Sequence, residues 1–96
     1  MPRILISGAS SGPGRALALA YAQPGNHLLL WGRNPQGLQD TAALVQTQGA
    51  SAETFQLDVR DWAAVSDAAS KILEDGPPDV LIANAGISVG TLTASR

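Results

Sequence analysis

Three glycines stand close together near the amino terminus, at positions Gly8, Gly12 and Gly14. They follow the apolar run 4–6 and precede a segment with helical periodicity, so they occupy a strand-to-helix turn. Glycines in such a turn permit a tight bend, close approach of the backbone to a phosphate, and close packing of the helix on the strand. The N–H groups and the dipole at a helix start attract anions. The turn therefore predicts a pyrophosphate site; a glycine-rich turn without a ligand is the alternative.

Two hydroxyl side chains lie inside the same turn. Ser10 and Ser11 can each donate a hydrogen bond to a phosphate, and the alternative is that they only fill the loop. Arg15, and no lysine, follows Gly14. The segment is therefore not a phosphate-binding loop of the GxxxxGK[ST] kind.

The elements that must position this turn are four short apolar runs alternating with three helical patterns. The runs predict strands over Ile4–Ile6, His27–Trp31, Glu53–Val59 and Val80–Ala83. The helices are predicted over about Pro13–Gln23, Pro35–Gln48 and Trp62–Asp75. This order predicts an α/β fold, a Rossmann-type doubly wound parallel sheet with strand order 3-2-1-4 and a ligand crevice where strands 1 and 4 diverge. The third run alternates apolar and polar residues, so we expect it at an edge of the sheet.

Each predicted helix carries an apolar face, and two of them carry a capping residue. Asn34 and Asp61 are the predicted N-caps of the second and third helices, and Gly49 is the predicted stop of the second. The apolar faces are Ala16, Leu17, Ala20 and Tyr21 in the first helix, Leu38, Ala42, Leu44 and Val45 in the second, and Trp62, Val65, Ala69, Ile72 and Leu73 in the third.

Composition excludes several classes of function. The chain has 96 residues, 45% of them hydrophobic, and a net charge of −2, which fits one globular domain over residues 1–96. The absence of a basic run argues against nucleic acid and anionic membranes as partners. The chain has no cysteine and one histidine, His27, so disulfide scaffolds and Cys/His metal sites are excluded. No leader or transmembrane pattern is visible, and a cytoplasmic location is expected.

The glycine spacing and three later segments resemble the short-chain dehydrogenase/reductase family. The family pattern Gly-x-x-x-Gly-x-Gly matches Gly8, Gly12 and Gly14, with Pro13 where the family usually has an aliphatic residue. That departure removes one N–H close to the pyrophosphate position. The other matches are Arg33 after the second strand, Asp58-Val59 at the end of the third, and Asn84-Ala85-Gly86 after the fourth. Ala83 stands before the last of these segments, where the family commonly has a further Asn. The resemblance covers essentially all of the chain.

The resemblance implies a role for each matched segment. It implies that Asp58, with Val59 beside it, contacts the adenine, and that the segment 84–86 flanks the adenosine ribose. Gly32 stands where an NAD-selecting acid is usual, and Arg33 beside it can hold a 2′-phosphate with a bidentate, charge-assisted contact. NADP is therefore the expected cofactor, with NAD as the alternative. His27 opens a strand away from the glycine turn, and we expect no functional role for it.

The family's Tyr-x-x-x-Lys pair has no counterpart in this sequence. Tyr21 is followed four residues later by Gly25, and Lys71 is preceded at that spacing by Asp67. The resemblance implies hydride transfer between nicotinamide and a carbonyl or alcohol substrate, in a complete protein that is a homo-oligomer. The expectation for this chain is the cofactor-binding half, a fragment truncated after the fourth strand and without a catalytic residue. One alternative is a catalytically inactive nucleotide-binding or regulatory module. A weaker one is the epimerase-like extended branch, whose Gly-x-x-Gly-x-x-Gly spacing the chain does not follow.

Overall fold

The computed structural model describes residues 2–83, which form four strands and three helices in strict alternation. The elements are β1 (Arg3–Ile6), α1 (Gly12–Ala20), β2 (His27–Gly32), α2 (Pro35–Thr47), β3 (Ser51–Gln56), α3 (Trp62–Leu73) and β4 (Val80–Ile82). The predicted number, type and order of elements are confirmed. The predicted third strand was placed too late by two to three residues, because it ends at Gln56 and leaves Asp58 and Val59 in the following loop.

The strands form one parallel sheet in the order β3-β2-β1-β4. Ile6 is the register partner of both Leu30 in β2 and Ile82 in β4, so β1 and β4 end at one level and β2 continues two residues further, to Gly32. The strand order and the edge position of β3 are confirmed. β1 and β2 are the central strands, and their apolar runs are buried on both faces because helices pack on each side of the sheet.

Helices cover both faces of the sheet and form two apolar layers. The first layer joins alternate residues of β1 and β2, among them Ile4 and Leu30, to Ala18 of α1 and Leu38 of α2. The second layer joins the opposite face of the same strands to α3; its buried members are Leu5, Leu29, Trp31, Leu57, Ala68 and Ile72. This is the doubly wound arrangement that was predicted.

The helices bury narrower faces than their periodicity predicts. In α1 the buried positions are Gly14 and Ala18, whereas Ala16 and Ala20 are exposed. In α2 the buried apolar residues are Leu38, Ala42 and Val45, and Leu44 is exposed. In α3 the buried apolar residues are Ala68 and Ile72. Leu73 is exposed, and Trp62 is exposed to 79%. Tyr21 and Val65 pack against the two layers as predicted, whereas the exposed positions were wrongly assigned to the buried faces.

The helix ends explain where α2 and α3 begin. The side chains of Asn34 and Asp61 accept hydrogen bonds from Gly37 N (2.9 Å) and Ala64 N (3.2 Å), which confirms both predicted N-caps. At the other end of α3, the Arg3 guanidinium donates to the carbonyl oxygens of Ile72 (2.8 Å) and Gly76 (2.6 Å). Arg3 thereby ties the end of α3 to the beginning of β1. None of the helices described over residues 2–83 is long and apolar enough to cross a membrane.

Candidate cofactor-binding site

The glycine turn lies at the carboxyl edge of the sheet, between the ends of β2 and β4. Ser7 N donates to Ile82 O at 3.0 Å, and Ala9 N donates to Trp31 O at 2.9 Å. Gly8 and Gly12 have positive φ angles, of 67° and 57°, which L side chains rarely adopt. Glycine is therefore required at both bends, and the turn is fixed to both neighbouring strands.

Gly14 brings α1 into direct contact with the first bend of the turn. A Cβ atom at Gly14 would overlap the carbonyl oxygen and carbon of Gly8. The helix start can lie this close to the chain leaving β1 only because position 14 has no side chain. The close helix packing predicted from the three glycines is therefore confirmed, and Gly14 is the glycine that permits it.

The start of α1 has the features that a pyrophosphate requires. Ser11 is the N-cap in extended backbone, but its side chain makes no capping hydrogen bond. A Cβ at Gly12 would meet nothing within 4 Å among the described residues, so the backbone there faces open space. Pro13 lies in the first turn and contributes no N–H. An uncapped helix start facing open space fits a dinucleotide phosphate.

A buried polar brace that the sequence analysis missed holds the turn against α2. The Thr41 hydroxyl donates to Ala9 O (2.8 Å) and accepts from Arg15 Nε (2.9 Å). Arg15 Nη2 donates to Ser10 O (2.7 Å) and to Gly37 O (3.2 Å). Thr41 is fully buried. Its position on the apolar face of α2 was the one feature of the sequence that could have indicated a buried hydrogen-bonding role. This brace of hydrogen bonds holds the glycine turn against α2.

Ser10 packs tightly against the end of β2 and the start of α2. A Cβ at Gly37 would overlap Ser10 O, and one at Gly32 would come within 3.0 Å of the Ser10 hydroxyl. The two glycines therefore make room for the turn. Gly32 therefore has a packing role, and it also leaves position 32 without an acidic side chain.

Arg33 and Asp58, two of the predicted site residues, lie close together beside the ends of β2 and β3, and Arg60 joins them. Arg60 donates to Asp58 through Nε (3.1 Å to Oδ1), Nη2 (2.8 Å to Oδ2) and its backbone N (2.9 Å to Oδ1). Arg33 Nη1 lies 3.9 Å from Oδ2 and has no hydrogen bond to any group within residues 2–83. Both arginine side chains are 70% exposed. Arg60 was missed because a hydrogen bond between residues two apart has no periodic signature.

The hydrogen bonds from Arg60 lower the pKa of Asp58 from 3.8 to about 2, with a smaller contribution from the charge of Arg33. The Asp58 carboxylate in turn raises the pKa of Arg60. Because the folded-state pKa of Asp58 is lowered, its stabilising contribution is present above pH 3.8 and is lost as pH falls towards 2. Near neutral pH this carboxylate is fully ionised.

Replacing Arg60 with glutamine should raise the pKa of Asp58 towards 3.8, because the side-chain hydrogen bonds that favour the ionised form disappear. Titration of the Asp58 carboxyl carbon by NMR measures this directly. Arg33→Gln is the matched control and should cause a smaller rise, since its contact is 3.9 Å long. An unchanged Asp58 pKa in the Arg60 variant would show that the pair does not form in solution.

The remaining predicted residues divide into three cases. Val59 is half-buried and packs against the second apolar layer, beside Asp58. The segment Asn84-Ala85-Gly86 lies outside the described residues. His27 lies at the amino end of β2, on the edge of the sheet opposite the glycine turn, where it contacts Ser51 Oγ (2.6 Å) and Glu53 Oε1 (3.2 Å). These cross-strand contacts give His27 a place in the packing of β2 against β3.

The parallel sheet and the glycine turn at its carboxyl edge define a Rossmann-type fold, the class to which dinucleotide-binding domains belong. The family model described as short chain dehydrogenase matches residues 2–95. The chain belongs to the short-chain dehydrogenase family.

Similar proteins include gluconate 5-dehydrogenase of Gluconobacter oxydans, 42% identical over 86 residues, which are 88% of this chain and 34% of that protein. Among solved structures, carveol dehydrogenase from Mycobacterium avium in complex with NAD superposes with a TM-score of 0.79 and 33% identity, over 88% of this chain and 35% of that one. L-sorbose reductase from Gluconobacter frateurii, complexed with NADPH and L-sorbose, superposes with a TM-score of 0.77 and 32% identity, over 88% of this chain and 33% of that one. The chain thus spans about a third of the length of these relatives.

Proposed function

We propose that residues 1–96 are the dinucleotide-binding part of an oxidoreductase that prefers NADP over NAD. When bound, the nicotinamide supplies or accepts a hydride, and a carbonyl or alcohol is the other reactant in the complete protein. The similarity to relatives named for gluconate, carveol and sorbose supports this substrate class. A cytoplasmic homo-oligomer without nucleic acid or membrane partners is part of the same proposal.

The proposed cofactor site follows the carboxyl edge of the sheet from the glycine turn to the loop after β3. The turn and the start of α1 hold the pyrophosphate, the loop after β3 meets the adenine, and the segment after β4 flanks the adenosine ribose. The residues are Gly8, Ser10, Ser11, Gly12, Gly14, Arg33, Asp58, Val59, Asn84, Ala85 and Gly86. The brace of Arg15 and Thr41 keeps the turn in its binding conformation.

The state of Arg33 carries the NADP assignment. Its guanidinium follows Gly32, is largely exposed, and makes no hydrogen bond within the described part of the chain. The side chain keeps its donors available for a ligand, and no acidic residue occupies position 32 to bind ribose hydroxyls. A planar guanidinium matches a phosphate with two parallel hydrogen bonds.

Arg33→Ala should remove most of the preference for NADPH over NADH. A charge-assisted arginine contact is worth about 1.5–3 kcal/mol. The dissociation constant for NADH divided by that for NADPH should therefore fall roughly ten- to a hundredfold. Calorimetric titration of the protein with each cofactor measures the ratio. Lys71→Ala removes the same charge from the last turn of α3, outside the proposed cofactor site, and should leave the ratio unchanged. A ratio that survives in Arg33→Ala would make this arginine an ordinary surface residue.

The 96-residue chain alone should transfer no hydride, because neither its tyrosine nor its lysine has the Tyr-x-x-x-Lys spacing. General acid–base catalysis typically contributes a factor of 10²–10⁴, and its absence leaves turnover at the buffer level. The assay follows NADPH absorbance with a panel of carbonyl compounds. Gly12→Asp, which places a carboxylate at the proposed phosphate site, is the control. Turnover seen in the unchanged chain and lost in this variant would contradict the expectation.

The alternative function is a catalytically inactive nucleotide-binding module, which the absent Tyr-x-x-x-Lys spacing favours. The two functions differ in the residues that the source DNA encodes after position 96. An in-frame Tyr-x-x-x-Lys further along that DNA would support the oxidoreductase, and a stop codon directly after Arg96 would support the binding module.

A further inference from the structure

Asp58 lies between two arginines that contact it unequally. Arg60 occupies both carboxylate oxygens, with side-chain bonds of 3.1 and 2.8 Å and a backbone bond of 2.9 Å. Arg33 approaches one oxygen to 3.9 Å, beyond hydrogen-bond distance. The three side chains carry a net charge of +1, and Arg33 has the longer of the two ion pairs with Asp58.

The pairing of Asp58 with Arg60 is built into the backbone. Asp61 N donates to Asp58 O at 2.8 Å, which closes a tight turn over residues 58–61. Asp61 then caps α3, so the turn is fixed at both ends. Arg60 therefore faces Asp58 through local geometry and needs no ligand to bring it there.

Without Arg60, the nearest cation for Asp58 is Arg33. A free carboxylate can form a bidentate pair with a guanidinium, the same geometry that a phosphate would use. We propose that Arg60 is a positioning residue for cofactor specificity, which occupies Asp58 and so leaves Arg33 free for the 2′-phosphate. This inference depends on the proposed function, since it assigns Arg33 the same ligand.

The test uses 2′,5′-ADP and 5′-AMP, two adenosine probes that differ by the 2′-phosphate. The readout is the ratio of their affinities, measured by calorimetry on the protein, so that any effect of Asp58 on adenine binding cancels. Arg60→Gln should lower the 2′,5′-ADP preference by about 1.5- to fivefold, the range for an exposed ion pair. The double variant Asp58→Asn/Arg60→Gln should restore it, because the asparagine no longer competes for Arg33.

Three controls separate the possible outcomes. Lys71→Gln removes a charge from the last turn of α3, outside the proposed cofactor site, and should not change the ratio. If Arg33→Ala leaves the ratio unchanged, the proposed NADP preference fails, and this inference fails with it. If Arg33→Ala lowers the ratio but Arg60→Gln does not, only the inference is overturned. A double variant that stays as low as Arg60→Gln would show that Arg60 contacts the phosphate itself, which also overturns it.

Discussion

Gly14→Ala is expected to destabilise the protein by about 3 kcal/mol or more and to abolish dinucleotide binding. The added methyl group would overlap the carbonyl group of Gly8. The backbone next to Gly8 has little freedom to move, because Ala9 N donates a hydrogen bond to Trp31 O and Ala9 O accepts one from the buried Thr41 hydroxyl. Alanine gains about 1 kcal/mol in helix propensity over glycine, which is less than the cost of the overlap. Urea unfolding and titration with NADPH measure the two effects.

Gly25→Ala is the matched control for this substitution. Gly25 has a φ of 93°, and a Cβ there would meet nothing within 4 Å among the described residues. Only backbone strain of about 1–2 kcal/mol should result, with cofactor binding retained. If Gly14→Ala is no more harmful than Gly25→Ala, the close contact between α1 and the glycine turn does not exist in solution.

Leu30→Ala should cost about 2–5 kcal/mol of stability, because Leu30 is completely buried in the first apolar layer. Leu81→Ala removes the same atoms from a side chain that is 64% exposed on β4, and it should cost less than about 1 kcal/mol. Denaturant unfolding of both variants gives the comparison. Equal losses would mean that β2 and β4 are not the central and peripheral strands of this sheet.

The comparison between sequence and structure is clearest at the glycine turn. Gly8, Gly12 and Gly14 were assigned to a turn between a strand and a helix, and the structure places them there. The assignment succeeded because positive φ angles and close backbone contacts leave almost no residue but glycine. The strand order was predictable from the alternation of strands and helices, because right-handed crossovers between parallel strands build a doubly wound sheet. The alternating third run indicated its edge position.

The helix faces show where local periodicity stops being informative. Trp62 and Leu44 fit an apolar period, yet both are exposed, and Ala18 is buried in place of Ala16 and Ala20. Periodicity indicates which side of a helix is apolar. The line of contact depends on how each helix crosses the sheet, which is set by residues distant in the sequence.

The sequence alone therefore determined the fold class, the strand order, the glycine turn and the position of Arg33 at the end of β2. Only the tertiary structure decided how the turn is braced and which partner Asp58 takes. The brace joins Arg15 to Thr41, 26 residues apart, and Thr41 to Ala9, 32 residues apart. Asp58 binds Arg60 closely and leaves Arg33 at 3.9 Å. The physical reason is that steric and burial constraints on single residues are visible in a sequence, whereas directional hydrogen bonds depend on distances that only the folded chain fixes.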